Sequence, residues 1–206
     1  MDSKQHWEQI YGSKTADAVS WFQPHAQRSL HLIQQTGVDK QAAIIDVGGG
    51  ASTLVDDLLA QGYTNLTVLD LSATALAVAR QRLGKNADTV HWIEGDITQV
   101  EFSPNQFDLW HDRAVFHFLT DPADRHAYVE QVMRAVRPGG HVIIATFAED
   151  GPEKCSGLPT MRYRPESLHA EFGDVFLLVG HEQEAHHTPF GTVQQFVYCY
   201  CRKGNH

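Results

Sequence analysis

The stretch Ile44-Ile45-Asp46-Val47-Gly48-Gly49-Gly50-Ala51-Ser52 decides how the rest of this chain is read. A short apolar run, short enough for a buried strand, ends in an acid and three glycines. The next residues read as a helix over 52–61 with Ser52 as its cap. Glycines let the backbone turn sharply and leave no Cβ in the way of a ligand. The free N–H groups of the next helix point to the same spot. In an open α/β sheet ligands sit at the carboxyl ends of the strands, and this is the first such end. Taken alone the loop is equally a plain βα turn. As a dinucleotide fingerprint it lacks its last glycine, because Thr53 stands there.

Downstream, strands and helices alternate. Leu66 to Leu69, Val90 to Ile93 and Phe107 to Trp110 read as strands, and helices are expected over 72–83, capped by Ser72, and 123–136. Arg137-Pro138-Gly139-Gly140 reads as a turn into a strand from His141 to Phe147. Strand, helix, strand at this spacing means βαβ units and a parallel sheet. Asp174 to Glu184 and Phe190 to Cys201 read instead as two longer strands joined through Thr188-Pro189 and Gly191, a hairpin at one edge. Upstream, residues 1 to about 37 read as two helical pieces. His6, Trp7, Ile10 and Tyr11 lie at helical spacing in the first, Leu30, Leu32 and Ile33 in the second, with Trp21 and Phe22 between. The simplest organisation is one domain over 1–206: an N-terminal helical cap (1–37), a core (42–147), and a loop plus hairpin (148–206).

Two carboxylates follow later strands. Asp70 lies 20 residues beyond Gly50, where a carboxylate can accept from both hydroxyls of a ribose. Its alternative role, capping the following helix, is already open to Ser72. Glu94-Gly95-Asp96-Ile97 follows the third strand, placing Asp96 near a base edge and Ile97 against its ring. An ordinary polar loop is the bland alternative.

Together these segments resemble class I S-adenosylmethionine-dependent methyltransferases, with Phe107-Asp108-Leu109-Trp110 and Arg137-Pro138-Gly139-Gly140 matching as well. The resemblance implies a Rossmann-like three-layer α/β sandwich with a seven-stranded, mostly parallel sheet and a C-terminal antiparallel hairpin. It implies S-adenosyl-L-methionine as cofactor. Asp46, Gly48, Gly49 and Gly50, with Ser52 at the helix start, would then receive the methionine part. Asp70 and Leu71 would hold the ribose, and Asp96 and Ile97 the adenine. The segments His6-Trp7 to Tyr11 and Trp21-Phe22 are similar to the N-terminal region of thiopurine methyltransferase-like enzymes and of some lysine methyltransferases of this fold. In those relatives such aromatics cover the cofactor, which assigns Trp7, Tyr11 and Trp21 to a lid; packing on the sheet is the alternative. Trp110-His111-Asp112-Arg113 is similar to a Trp-Asp-Arg-Gly stretch of the thiopurine group, with His111 inserted and Ala114 in place of glycine.

Methyl transfer to an oxygen or amine acceptor requires loss of a proton, so His111 and Asp112 at the fourth strand's end are the candidate catalytic residues. Asp112 and Arg113 are also candidates for cofactor contact; bracing of the turn is the competing role. His117, between Phe116 and Phe118, reads as packing. Arg162 and Arg164 can bind an acidic substrate or lie in a solvated turn. His186 and His187 are adjacent, so on a strand they face opposite sides, and no metal site is expected.

The bulk composition narrows the function. The 206 residues are 42% apolar and 20% charged, with 16 basic against 25 acidic residues for a net charge of −9. No basic cluster offers phosphate contacts, which argues against nucleic acid. No window reaches the roughly 18 apolar residues of a membrane span, and the N-terminus shows no signal peptide, so a cytoplasmic location is expected. Three cysteines, Cys155, Cys199 and Cys201, do not form a disulfide framework. A small-molecule methyltransferase is expected. The alternatives are a protein lysine methyltransferase of the same fold, an NAD-dependent oxidoreductase and a non-catalytic binding module; the sequence is silent on oligomeric state.

Overall fold

The computed structural model describes residues 3–205; Met1, Asp2 and His206, the outer ends of the expected cap and hairpin segment, lie outside the described residues. The N-terminal region holds α1 (Ser3–Ser13) and α2 (Gln27–Gln35). Then come β1 (Ile44–Val47), α3 (Leu54–Ala60), β2 (Leu66–Asp70), α4 (Ala73–Leu83), β3 (Val90–Glu94), β4 (Phe107–Arg113), α5 (Pro122–Ala135) and β5 (Val136–Phe147). A small ribbon of β6 (Lys154–Cys155) and β7 (Leu158–Pro159) precedes α6 (Pro165–Phe172), and β8 (Phe176–His187) and β9 (Val193–Lys203) end the chain.

Seven strands form one sheet in the order β3-β2-β1-β4-β5-β9-β8. The β1–β2, β2–β3, β1–β4 and β4–β5 pairs are parallel, and β9 runs antiparallel to both β5 and β8. The expected Rossmann-like sheet with its terminal hairpin is present. Every residue of β1 and β2 is buried, as continuous apolar strands covered on both faces must be. One face packs on α2, α3 and α4 through Ile33, Leu54, Leu58 and Leu76. The other packs on α5 and α6 through Tyr128, Val132, Leu168 and Phe172. The chain leaves β1 toward β2 on one side, while β4 lies on the other. This topological switch opens a crevice at the carboxyl ends of β1 and β4.

Several expected boundaries move. The helix after the glycines starts at Leu54 rather than 52, and Ser52 Oγ accepts from Leu54 N–H at 3.1 Å just outside it. Ser72 does cap α4, accepting from Ala75 N–H at 3.1 Å. Strand β4 continues three residues past Trp110, so His111, Asp112 and Arg113 are strand residues rather than loop residues. The Arg137–Gly140 turn lies inside β5 as a bulge: Phe107 pairs with Val136 and Leu109 with His141. Its backbone reverses through Gly139, at φ +74°. The ribbon of β6 and β7 has no counterpart in the sequence reading, because two-residue strands carry no periodicity. His186 is buried, its Nε2 at 2.7 Å from the Ser20 carbonyl oxygen, while His187 is exposed. Cys199 and Cys201 share one buried face with their sulfurs 3.3 Å apart. No described helix is long and apolar enough to cross a membrane.

Ala114, the residue standing where the thiopurine-like pattern has glycine, has φ +74°. A left-handed backbone costs an L-residue about 1–2 kcal/mol that glycine does not incur. Replacing it, Ala114→Gly, is expected to stabilise the fold by about 1 kcal/mol net of glycine's unfolded-state entropy, raising Tm by about 2–4 °C. Calorimetry showing a lower Tm would contradict this.

Candidate functional site

The strand ends converge on the glycine loop. Gly48 takes φ +70° and its N–H donates to the Leu69 carbonyl oxygen at 2.7 Å, stitching the end of β1 to β2. At Gly50 a Cβ would lie 2.4 Å from Asp70 Oδ2 and 2.5 Å from the Ala75 methyl, so only glycine fits. The space saved is used by Asp70, whose Oδ2 accepts from Gly50 N–H at 3.0 Å and Oδ1 from Ser72 N–H at 2.8 Å. Asp70 thus ties loop and helix together as well as facing the crevice. Burial raises its carboxyl to about 6, against the pull of these two hydrogen bonds.

From Asp70 a cleft of about 430 Å³ extends across the sheet top. Leu71, Asp96 and Ile97 border it beyond β2 and β3, and Val115 beyond β4. Asp96 Oδ1 accepts from the Thr98 N–H and hydroxyl, at 2.9 and 2.7 Å, which fixes the turn after β3. Trp7, Tyr11 and Trp21 close the cleft from above, with Phe118 beside them. Their rings meet edge to face: Trp7 lies 5.6 Å from Trp21 and 5.1 Å from Phe118 between centroids. Glu8 holds this cap in place by accepting from Ala73 N–H at 2.6 Å, at the start of α4. Burial, with the Asp70 charge adding, pushes the Tyr11 phenol far above its ordinary range.

An inner cavity of about 50 Å³ adjoins the cleft, bordered by Asp46, Gly49, Ser52, His111 and Ser29. Gly48, Tyr11, Trp21 and Arg113 border both spaces. Of the fourteen expected cofactor-contact positions, twelve border one of these two spaces; Gly50, packed against Asp70, and Asp112 do not.

Asp112 corrects the sequence expectation. Strand alternation turns it to the opposite face from His111. There it is fully buried and accepts from Val115 N–H at 2.9 Å, Phe116 N–H at 3.1 Å and the Tyr128 hydroxyl at 2.6 Å. Trp110 Nε1–H donates in turn to that tyrosine oxygen, at 2.9 Å. Asp112 anchors the turn after β4 and does not reach the cleft. Burial raises its carboxyl to about 6, chiefly against the Tyr128 hydrogen bond. Arg113 is also committed to structure: Nε donates to the Tyr198 hydroxyl at 3.1 Å, one terminal nitrogen to the Trp21 carbonyl at 3.1 Å, and the other pairs with Glu184 at 3.5 Å. It clamps the aromatic cap to the C-terminal hairpin.

His117 is packed, as read from its neighbours. Its ring lies 4.5 Å from Phe118 and 4.4 Å from Phe147, and burial lowers it to about 3. Arg162 and Arg164 pair with Glu153 and Glu149 of their own loop, away from the cleft. Sequence reasoning missed Ser29, Val115, Phe118, Cys155, Leu158 and Pro159. None carries a motif; only the chain path brings them here.

The crevice fits a nucleoside-bearing ligand: an acid stands ready for a ribose, and a buried Asp46 Oδ2 has no partner among the described residues. Comparison with known proteins adds a family and a fold. Residues 44–140 match the family described as a methyltransferase domain. A ubiquinone/menaquinone biosynthesis C-methyltransferase of Roseobacter denitrificans is 29% identical over 109 residues, 52% of this chain and 42% of that protein. An eEF1A lysine and N-terminal methyltransferase of Danio rerio is 23% identical over 151 residues, 72% of this chain and 22% of that protein. The chain thus spans less than half the length of either relative. A Burkholderia thailandensis 1,6-didemethyltoxoflavin-N1-methyltransferase, solved with that compound and S-adenosylhomocysteine, shares the fold at TM-score 0.68 and 20% identity, over 98% of this chain and 84% of that one.

Asp112 makes a testable linkage. Its folded pKa, about 6, exceeds the ordinary 3.8, so the folded state binds the extra proton between those values. Its contribution to stability is full below pH 4 and lost as pH rises to about 6. In Asp112→Asn that loss is absent. The unfolding free energy of the variant minus that of the wild type should rise by roughly 2 kcal/mol between pH 4 and 6 and stay level above. Urea titrations giving a flat difference would refute the assignment.

Proposed function

We propose that this chain, whose residues 44–140 form a class I S-adenosylmethionine-dependent methyltransferase domain, methylates a small-molecule acceptor bound beside the aromatic cap. The observation that carries the proposal is the cleft itself. Its volume of about 430 Å³ lies in the range of small-molecule sites, about 300–1,000 Å³. It continues from Asp70 and Gly48 past Trp7 and Phe118 to Leu119, and the β6–β7 ribbon walls its far side with Leu158 and Pro159. An apolar slot closed in this way favours a compact acceptor over a folded protein surface.

S-adenosylmethionine supplies an electrophilic methyl group on a sulfonium. Asp70 accepts the ribose hydroxyls, with Leu71 against the sugar. Asp96 and Ile97 meet the adenine, and the glycine loop with Asp46 and Ser52 takes the methionine part. Trp7, Tyr11 and Trp21 offer aromatic faces to the cation. The chain's contribution to transfer is position and orientation, worth up to ~7–11 kcal/mol. Two side chains at the acceptor end, Tyr11 and Cys155, do not serve as bases at neutral pH. Burial holds the tyrosine protonated and pushes the cysteine thiol up to about 11. An acceptor that is nucleophilic on its own, such as a thiolate, a phenolate or an electron-rich ring carbon, suits this arrangement.

Transfer of labelled methyl from the cofactor should appear on members of a panel of small thiols, phenols and quinols. Labelling of lysine peptides with no small molecule labelled would overturn the acceptor class. Asp70 gives a second expectation. As pH falls through about 6 its carboxylate is protonated, so cofactor affinity measured calorimetrically should drop between pH 7.5 and 5. Asp70→Asn should bind more weakly at pH 7.5 and lose most of that pH dependence.

A further inference from the structure

Strands β1 and β4 place Asp46 and His111 side by side in register, on the face covered by α2. Their side chains join: His111 Nδ1 lies 2.7 Å from Asp46 Oδ1. The other ring nitrogen, Nε2, lies 2.8 Å from Ser29 Oγ on α2. All three residues are buried, Ser29 and His111 almost completely. An ionised carboxylate can only accept, so Nδ1 carries the proton it donates to Asp46. In the neutral ring, Nε2 then accepts from the Ser29 hydroxyl. The second carboxylate oxygen, Asp46 Oδ2, is buried without a hydrogen-bond partner among the described residues. It lies against Gly49, where a Cβ would come within 2.4 Å of it, and Asp46 borders the inner cavity of about 50 Å³.

A buried acceptor left unmatched costs free energy unless a bound ligand supplies the donor. A carboxylate in a cavity this small selects a compact cationic donor, an ammonium group rather than a planar or bulky one. We propose that His111, backed by Ser29, is a positioning residue that fixes Asp46 so that Oδ2 receives the α-ammonium group of the cofactor's amino-acid end; this rests on the S-adenosylmethionine reading above. A serine, a histidine and an acid in hydrogen-bonded series also resemble a nucleophile relay. Ser29, however, lies on the buried face of α2 with no solvent-exposed surface, and both nitrogens of His111 are engaged. The series holds a charge in place and transfers nothing.

The test compares two ligands. S-adenosylhomocysteine carries the amino-acid end, and 5′-methylthioadenosine has the same nucleoside thioether without it. Calorimetric titration of His111→Ala should weaken S-adenosylhomocysteine tenfold or more while 5′-methylthioadenosine stays within twofold. His111→Asn, whose amide N–H takes the place of Nδ1–H, should recover most of the loss. Ser29→Ala should lose about threefold, again only for the first ligand. Equal weakening of both ligands, or an unchanged affinity for S-adenosylhomocysteine, would overturn the assignment. If His111→Ala does not fold, Ser29→Ala carries the same comparison. Wild-type protein binding neither ligand would overturn the cofactor reading itself, and this inference with it.

Discussion

The site depends on one carboxylate. Asp70 joins the Gly50 N–H of the loop after β1 to the Ser72 N–H that opens α4. These hydrogen bonds fix the glycine loop against the end of β2, and they do so only because Gly50 leaves room for the carboxylate. A buried acid held by two backbone donors is ordered before any ligand arrives, so the position of this carboxylate at the cleft is set by the fold rather than assembled on binding. The cost is desolvation, visible in the raised carboxyl. The same residue is a structural clasp and a wall of the cleft.

The second organising constraint is strand alternation at the end of β4. His111 and Asp112 are neighbours in sequence and opposites in space. One joins Asp46 and Ser29 on the face of α2, and the other joins Tyr128 and the turn backbone on the face of α5. The two acids of the region thus divide the work. Asp46 leaves an oxygen unmatched among the described residues at the inner cavity, and Asp112 spends its oxygens on the turn that carries Val115 to the cleft wall. Arg113, back on the first face, carries the clamp outward to Trp21, Tyr198 and Glu184. The aromatic cap is therefore held from both ends: by Arg113 at Trp21 and by Glu8 at the start of α4.

The fold and the first three strand ends were legible in the sequence because their signals are local. Apolar runs ending at Gly48, Asp70 and Gly95 mark strands by period and turns by residue type, and right-handed crossovers leave few ways to assemble them. The hairpin was legible for the same reason, from two long strands around Thr188-Pro189 and Gly191. Local signals also marked the glycine loop, though that no other residue fits Gly50 beside Asp70 is shown only by the packed structure.

What the tertiary structure decided concerns contacts between distant segments. The sequence shows His111, Asp112 and Arg113 as one cluster of titratable groups; only the continuation of β4 and its pleat reveal that the middle one faces away. Ser29 carries no motif, and its partner His111 stands 82 residues along the chain. The slot formed by Phe118 and the short ribbon of β6 and β7 has no periodic trace at all. A sequence determines the elements that hydrogen-bond within themselves or to near neighbours. Which buried polar groups find partners, and which do not, is settled by the packing of the whole chain.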